Sequence, residues 1–142
     1  MDCLHFEYDV DGNNFVSAGQ ATEKVKSCLK SMGIRSEDVR RIAIAMYEGE
    51  INMVIHANGG KAYADGFVDK IVVRLEDTGK GIADVEQAMQ PGFSTASESI
   101  RDLGFGAGMG LPNMKRYTDH MEIRSRVGEG TRILMRVDIP TA

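Results

Sequence analysis

The order of the predicted strands and helices is the feature that most limits the fold of this chain. Segments with period-2 alternation of apolar residues predict strands at 4–10, 61–65, 70–77, 121–127 and 131–139. Apolar residues at helical spacing predict helices at 17–32, 37–57, 84–89 and 111–119. Because strands and helices do not alternate strictly, a doubly wound parallel sheet is disfavoured. The pattern predicts a two-layer α/β (α+β) sandwich, with a mixed, largely antiparallel sheet and helices packed on one face.

Length and charge narrow the class of protein. The 142 residues show no repeat, linker or change of composition, so we expect a single domain spanning 1–142. A formal net charge of -4 argues against a nucleic-acid binder that relies on basic charge. The chain lacks a membrane-spanning apolar run and a signal peptide at its start, so we expect a cytoplasmic protein whose Cys3 and Cys28 are reduced.

The second predicted helix carries a carboxylate and an amide one turn apart. Glu48 and Asn52 lie on the same side of this helix, at the edge of its apolar arc. Partial desolvation there makes Glu48 a candidate general base, and an amide oxygen such as that of Asn52 is a ligand suited to Mg²⁺. The alternative is that both are surface residues of an amphipathic helix. Glu50 falls inside the apolar arc, and we expect it to pair with an arginine or to face a partner protein.

A second candidate site follows the strand at 70–77. Asp77 has the same parity as Ile71, Val73 and Leu75, so its side chain is predicted to point inward at the mouth of an apolar pocket. A carboxylate placed there needs a donor, which could be the exocyclic amine of adenine, a protein amide or an arginine. Gly79 and Gly81 allow the backbone to turn and to approach a ligand closely. The alternative is an ordinary turn between two elements.

The third candidate site is a run of alternating glycines before the helix at 111–119. The chain has 16 glycines, about six more than average usage predicts. Four of them are Gly104, Gly106, Gly108 and Gly110. Exposed amides in such a run can surround an anion, and the following helix N-terminus adds a favourable dipole. A flexible hinge is the alternative reading of this run.

These motifs, in this order, resemble the Bergerat-fold ATP-binding (GHKL) superfamily. Within it, the chain looks like the serine/threonine kinases that regulate sigma factors. Segments 41–57 and 106–116 look closest to the stressosome switch-kinase branch. The resemblance covers essentially the whole chain and implies ATP and Mg²⁺ as cofactors.

The resemblance also implies a role for each candidate residue. Glu48 matches the general base that deprotonates a substrate hydroxyl, and Asn52 matches the Mg²⁺ ligand. Asp77 matches the acceptor of the adenine amine, with Gly79 and Gly81 in the same motif, and Thr131 matches a threonine that supports the adenine contact. The glycine run matches the phosphate-binding backbone, and residues 93–101 match a lid over ATP. Lys80 stands where the family often has proline or a small residue.

The implied activity is transfer of the γ-phosphate of ATP to a serine or threonine of a STAS-domain protein. A sigma factor or a phosphatase regulator is a further expected partner, and family members often form homodimers. One alternative is a binding module in which nucleotide only sets the conformation and no phosphate is transferred. Another is a nucleotide-hydrolysing machine of the gyrase or chaperone kind. Such proteins carry large additional domains, for which we expect 142 residues to leave no room.

Overall fold

The computed structural model describes residues 4–12, 18–57, 59–79, 81–82, 85, 89 and 110–140. Its strands are β1 (Leu4–Asp11), β2 (Gly59–Gly66), β3 (Lys70–Asp77), β4 (His120–Arg126) and β5 (Gly130–Asp138). Its helices are α1 (Gln20–Ser31), α2 (Ser36–Ala57) and α3 (Gly110–Arg116). The strands form one sheet in the order β1-β2-β3-β5-β4, antiparallel at every pairing among the described residues. The predicted fold class is confirmed.

The inner face of the sheet and the helices bury the core between them. Alternate residues of β3 and β5 point inward and are buried: Ile71, Val73, Leu75, Ile133, Met135 and Val137. Helix α2 covers them with apolar side chains that include Ile42 and Met46, and Val25 and Leu29 of α1 pack against α2 in the same core. Removing this apolar surface from water is the main stabilising contribution to the fold. The residues of opposite parity form the outer face, on which charged side chains predominate.

The observed ends of the elements differ from the predicted ones where long-range contacts decide them. Strand β2 begins at Gly59 because β1 pairs with it as far as the Asp11 and Gly59 positions. Helix α1 begins at Gln20, and its N-cap residue Gly19 has a φ of 97°. Helix α3 ends at Arg116, because the Asp119 N–H donates to the Arg136 carbonyl at 2.9 Å and the chain turns into β4.

Two further expectations are only partly covered by the described residues. Of the helix predicted at 84–89, Val85 and Met89 are described, and the Met89 N–H donates to the Val85 carbonyl at 3.0 Å, which is a helical bond. No helix in the described part of the chain is both long enough and apolar enough to cross a membrane.

Candidate functional site

Glu48 and Asn52 lie on α2 where the helix meets both the sheet and α3. Both are half-buried, as expected for the edge of the apolar arc. Gly49, between them, is buried, and a Cβ there would lie 2.0 Å from Leu75 Cδ1 and 3.3 Å from Met114 Sδ. The missing side chain therefore allows α2 to approach β3 and α3 closely at this level.

Helix α3 lies antiparallel to α2, with contacts spread along its length. At its start, a Cβ on Gly110 would lie 3.0 Å from Asn52 Nδ2. One turn later, Asn113 Nδ2 donates to Glu48 Oε1 at 3.4 Å. At the far end, Arg41 Nε donates to the Tyr117 carbonyl at 3.2 Å. These contacts place the start of α3 beside Glu48 and Asn52.

Asp77, at the end of β3, accepts hydrogen bonds from the described residues through one of its two carboxylate oxygens. Its Oδ1 accepts hydrogen bonds from the Gly79 N–H at 2.9 Å and the Thr131 N–H at 3.2 Å. Of the three donors considered from the sequence, the protein amide is thus the one found for Oδ1. No described residue donates to Oδ2. Asp77 therefore keeps acceptor capacity beyond its structural role.

A small cavity of about 50 Å³ lies against Asp77, which fits the prediction of an apolar pocket. Its polar or glycine lining is Gly49, Asn52, Asp77, Gly81 and Thr131, and its apolar lining is Met53, Leu75, Ile82 and Ile133. The cavity therefore joins Asn52 of α2 to the Asp77 motif, which are 25 positions apart in the sequence.

Ser125 on β4 organises this end of the sheet, although no sequence motif predicted a role for it. Its hydroxyl donates to the Gly130 carbonyl at 3.1 Å and lies 2.7 Å from Thr131 Oγ1. It also accepts the Ile82 N–H at 2.7 Å. Because a hydroxyl has one proton, the Thr131 hydroxyl donates to Ser125 and keeps its own lone pairs. Ser125 has the same parity as Ile123 on β4, so the alternation alone could have predicted that its side chain lies on the inner face.

The glycines of the predicted loops are only partly described. Gly81 has a φ of 77°, and a Cβ there would lie 2.1 Å from the Arg126 carbonyl oxygen, so glycine is needed at this close approach. Gly79 contributes its N–H to Asp77. Gly110 begins α3, whereas Gly104, Gly106, Gly108, Lys80 and the lid expected at 93–101 lie outside the described residues.

Glu50 has a different role from both of those expected for it. It is 2 % exposed, and its partners are not arginines but donors at the start of α1. Its Oε2 accepts the Gly19 N–H at 2.9 Å and the Ala21 N–H at 3.3 Å. Its Oε1 accepts the Thr22 N–H at 3.0 Å and the Thr22 hydroxyl at 2.8 Å. Because Gly19 has no side chain to cap α1, Glu50 supplies the cap from another helix.

A polar cluster at the other end of α2 fixes the C-terminal end of α3. Arg41 donates to Tyr117 and pairs with Asp119 at 3.1 Å. The Asp138 N–H donates to Asp119 Oδ2 at 2.7 Å. This backbone hydrogen bond, together with Arg41, lowers the pKa of Asp119 below its ordinary value.

The described residues include groups with the chemistry that the implied cofactors, ATP and Mg²⁺, require. The Oδ2 of Asp77, to which no described residue donates, is suited to an amine donor, and the cavity beside it offers apolar contacts to a ring. Among the described residues, no group of three or more His, Cys, Asp or Glu could hold a metal ion alone. The amide oxygen of Asn52 fits a cation such as Mg²⁺, which takes most of its ligands from phosphates and water.

Comparison with known proteins gives a consistent result. Residues 14–137 match the model of the histidine kinase-like ATPase domain. The chain is 32% identical over 133 residues to an anti-sigma F factor of Thermoanaerobacter sp. (strain X514), covering 86% of this chain and 88% of the relative. It is 32% identical over 112 residues to the serine/threonine-protein kinase RsbT of Bacillus subtilis (strain 168), covering 76% and 78%.

A solved structure supports the fold alone. The mycobacterial sensor histidine kinase MprB superposes with a TM-score of 0.53 at 16% identity, covering 98% of this chain and 100% of that one. The match of the domain model to most of the chain confirms the GHKL resemblance. This chain belongs to the family of histidine kinase-like ATPase domains.

Proposed function

We propose that the chain is an ATP-dependent serine/threonine protein kinase of the anti-sigma regulatory type. The observation that carries the proposal is the cavity shared by Asn52 and Asp77, one helical turn from Glu48. One cleft thus combines a base-recognition group, a candidate cation ligand and a candidate general base. The names of the two relatives, an anti-sigma F factor and a serine/threonine-protein kinase, support the same class.

Asp77 and Thr131 are proposed to recognise adenine. The Oδ2 of Asp77, which receives no bond from the described residues, would accept the exocyclic amine, and Thr131, which donates to Ser125, would offer an acceptor beside it. Gly79 and Gly81 leave this edge without side chains, and Met53, Leu75 and Ile133, which line the cavity, would offer apolar contacts to the ring. The backbone of Gly104, Gly106, Gly108 and Gly110 is proposed to bind the phosphates.

Glu48 is proposed to accept the proton of the attacking hydroxyl. Among the described residues its carboxylate has one long contact, with Asn113, which leaves acceptor capacity that a substrate hydroxyl could use. Asn52, one turn away, would hold Mg²⁺, which when bound neutralises phosphate charge. The remaining contribution of the protein is positioning, because α2 and α3 hold these groups around one cleft.

The substrate is proposed to be a serine or threonine of a STAS-domain protein in the cytoplasm. A sigma factor or a phosphatase regulator is proposed as a second partner. The relatives named anti-sigma F factor also favour a second candidate function, in which the chain binds a regulator in a nucleotide-dependent way without phosphate transfer. An available carboxylate at Glu48 argues for catalysis, since a binding module needs no base there.

The substitution Asp77→Asn tests the proposed base recognition. Asparagine keeps an oxygen for the Gly79 and Thr131 N–H groups, but replaces the free acceptor by an amide donor. We expect ATP to bind about 10- to 100-fold more weakly, while GTP, which has a carbonyl at the amine position, loses less. Calorimetric titration of both nucleotides measures this. Equal losses for ATP and GTP, or no loss, would contradict the assignment.

Transfer is tested with γ-labelled ATP and the cognate STAS protein. The kinase proposal predicts label on the partner, which phosphoamino-acid analysis then identifies as phosphoserine or phosphothreonine. Nucleotide-dependent binding of the partner without label would favour the second candidate function. Phosphate released without any partner would instead indicate a hydrolase.

A further inference from the structure

A network of hydrogen bonds around Ser125 joins three segments of the chain beside the proposed adenine site. The Ser125 hydroxyl contacts the Ile82 N–H at 2.7 Å, the Gly130 carbonyl at 3.1 Å and Thr131 Oγ1 at 2.7 Å. Thr131 is the direct cross-strand partner of Ser125. Thr131 lines the cavity at the end of the sheet, whereas Ser125 is not one of the described residues that line it. Ser125 therefore acts on a ligand in this cavity through Thr131.

The direction of each hydrogen bond in this network follows from the donors and acceptors present. The Ile82 N–H can only donate, and the Gly130 carbonyl can only accept. Because Ser125 has a single proton and gives it to Gly130, the third bond runs from the Thr131 hydroxyl to the Ser125 oxygen. Ser125 then has its proton and both lone pairs engaged. Thr131 has its proton held by Ser125 and keeps its lone pairs for the cavity.

The edge of the cavity that Asp77 and Thr131 form thus presents acceptors. No described residue donates to Asp77 Oδ2, and Thr131 Oγ1 adds its lone pairs beside it. Two acceptors favour a base that carries an amino group there, as adenine does. A purine with a carbonyl oxygen at that position, such as guanine or hypoxanthine, finds no donor and is disfavoured.

We propose that Ser125 is a positioning residue that gives this site its preference for amino over oxo purines, by holding the Thr131 proton away from the cavity. Without the Ser125 hydroxyl, the Thr131 hydroxyl turns and donates into the cavity, where a carbonyl oxygen of the base accepts its proton. Asp77 alone then opposes the oxo purine. This role rests on the proposed function, because it requires a purine base to bind at Asp77 and Thr131.

A purely structural role for Ser125 predicts a different result. Loss of the Ser125 oxygen leaves the half-buried Ile82 N–H without its acceptor and disturbs the segment after Gly81, which passes close to the Arg126 carbonyl. Such a disturbance weakens ATP and an oxo purine nucleotide by similar factors, because it does not change which atoms donate. The ratio of the two affinities therefore separates a role in hydrogen-bond direction from a role in structure alone.

Ser125→Ala tests the proposal, with ATP and inosine triphosphate (ITP) titrated separately by calorimetry. We expect the preference for ATP over ITP to fall about tenfold, since ITP gains a donor and ATP gains none. Ser125→Thr keeps a hydroxyl and suits a strand, so it should restore the wild-type ratio. Ser31→Ala is the matched control, because it removes an exposed serine hydroxyl with one hydrogen bond on α1. It should leave both affinities unchanged.

A second pair of variants shows whether Ser125 acts through Thr131. Thr131→Val removes the hydroxyl and keeps the shape of the side chain. In this background, Ser125→Ala should change the ratio of ATP to ITP affinity by less than about twofold, because no proton is left to redirect. If Ser125→Ala is unfolded in a thermal scan, Ser125→Cys repeats the test, since sulfur fills a similar space but is a weak acceptor.

Several results would overturn the role of Ser125. These are an unchanged ratio in folded Ser125→Ala or Ser125→Cys, equal weakening of ATP and ITP, failure of Ser125→Thr to restore the ratio, and a full effect that persists beside Thr131→Val. A wild-type chain that binds ATP and ITP equally would contradict the proposed function as well. A wild-type preference for ATP that Asp77→Asn removes and Ser125→Ala does not would overturn the role of Ser125 alone.

Discussion

Two carboxylates on α2, only two residues apart, have opposite surroundings. Glu50 faces α1, is 2 % exposed and accepts hydrogen bonds from Gly19, Ala21 and Thr22. Glu48 faces α3, is half-buried and, within the described part of the chain, accepts one hydrogen bond, from Asn113 at 3.4 Å. A buried carboxylate with all its acceptor sites filled holds structure together. One at the edge of a cleft, with acceptor sites left over, can accept a proton from a substrate.

The largest expected effect is a difference in the free energy of unfolding between variants of Glu50 and Glu48. Glu50→Ala leaves buried donors at the start of α1 without an acceptor, and we expect the free energy of unfolding to fall by about 3 kcal/mol or more. Glu48→Ala should change it by less than about 0.5 kcal/mol, because Glu48 is partly exposed and weakly bonded. Urea unfolding of both variants measures the difference. Similar losses for the two would remove the contrast on which the assignment depends.

A smaller change tests how Glu50 holds α1. Thr22→Val keeps the shape of the side chain and the Thr22 N–H bond but removes the hydroxyl that donates to Glu50 at 2.8 Å. We expect a loss of about 1–2 kcal/mol in the free energy of unfolding. In Glu50→Gln the same threonine substitution should cost less, since a bond to a charged acceptor is the stronger one. Equal costs in the two backgrounds would show that the carboxylate charge is unimportant.

The smallest effect concerns Asp119, a third and more exposed carboxylate. Its pKa is lowered by the Asp138 N–H and by Arg41, so its ionised form stabilises the fold at pH values above the ordinary carboxyl pKa. That contribution is lost as the pH falls through the lowered pKa. Asp119→Asn should therefore be less stable than wild type by up to about 1 kcal/mol at neutral pH.

The pH dependence of this variant is the control. The difference between wild type and Asp119→Asn should close in acid, below about pH 4, where the wild-type aspartate becomes protonated. Thermal unfolding across this range measures the gap. A gap that stays constant with pH would mean that the aspartate acts through packing and not through its charge.

The sequence predicted the parts of this molecule that depend on local pattern. The strands, the long helix and the inward direction of Asp77 follow from alternation and helical spacing, and the described structure has them. The partners of Glu50 could not be predicted, because its donors are three backbone N–H groups and one hydroxyl that lie 28 to 31 positions earlier in the chain. A buried acid in an apolar arc indicates that a partner exists, but it does not indicate which element supplies it. The functional roles assigned to Glu48, Asn52, Asp77 and Thr131 remain predictions.

The most direct test of the central claim compares Glu48→Gln with Glu50→Gln in one experiment. Both substitutions remove one charge from α2, and phosphate transfer to the STAS protein is measured beside the free energy of unfolding. We predict that Glu48→Gln lowers transfer about 100-fold or more with stability and ATP binding unchanged, because only the proton acceptor is lost. Glu50→Gln should lower stability and keep transfer at temperatures where it is folded. Undiminished transfer by Glu48→Gln would contradict the account.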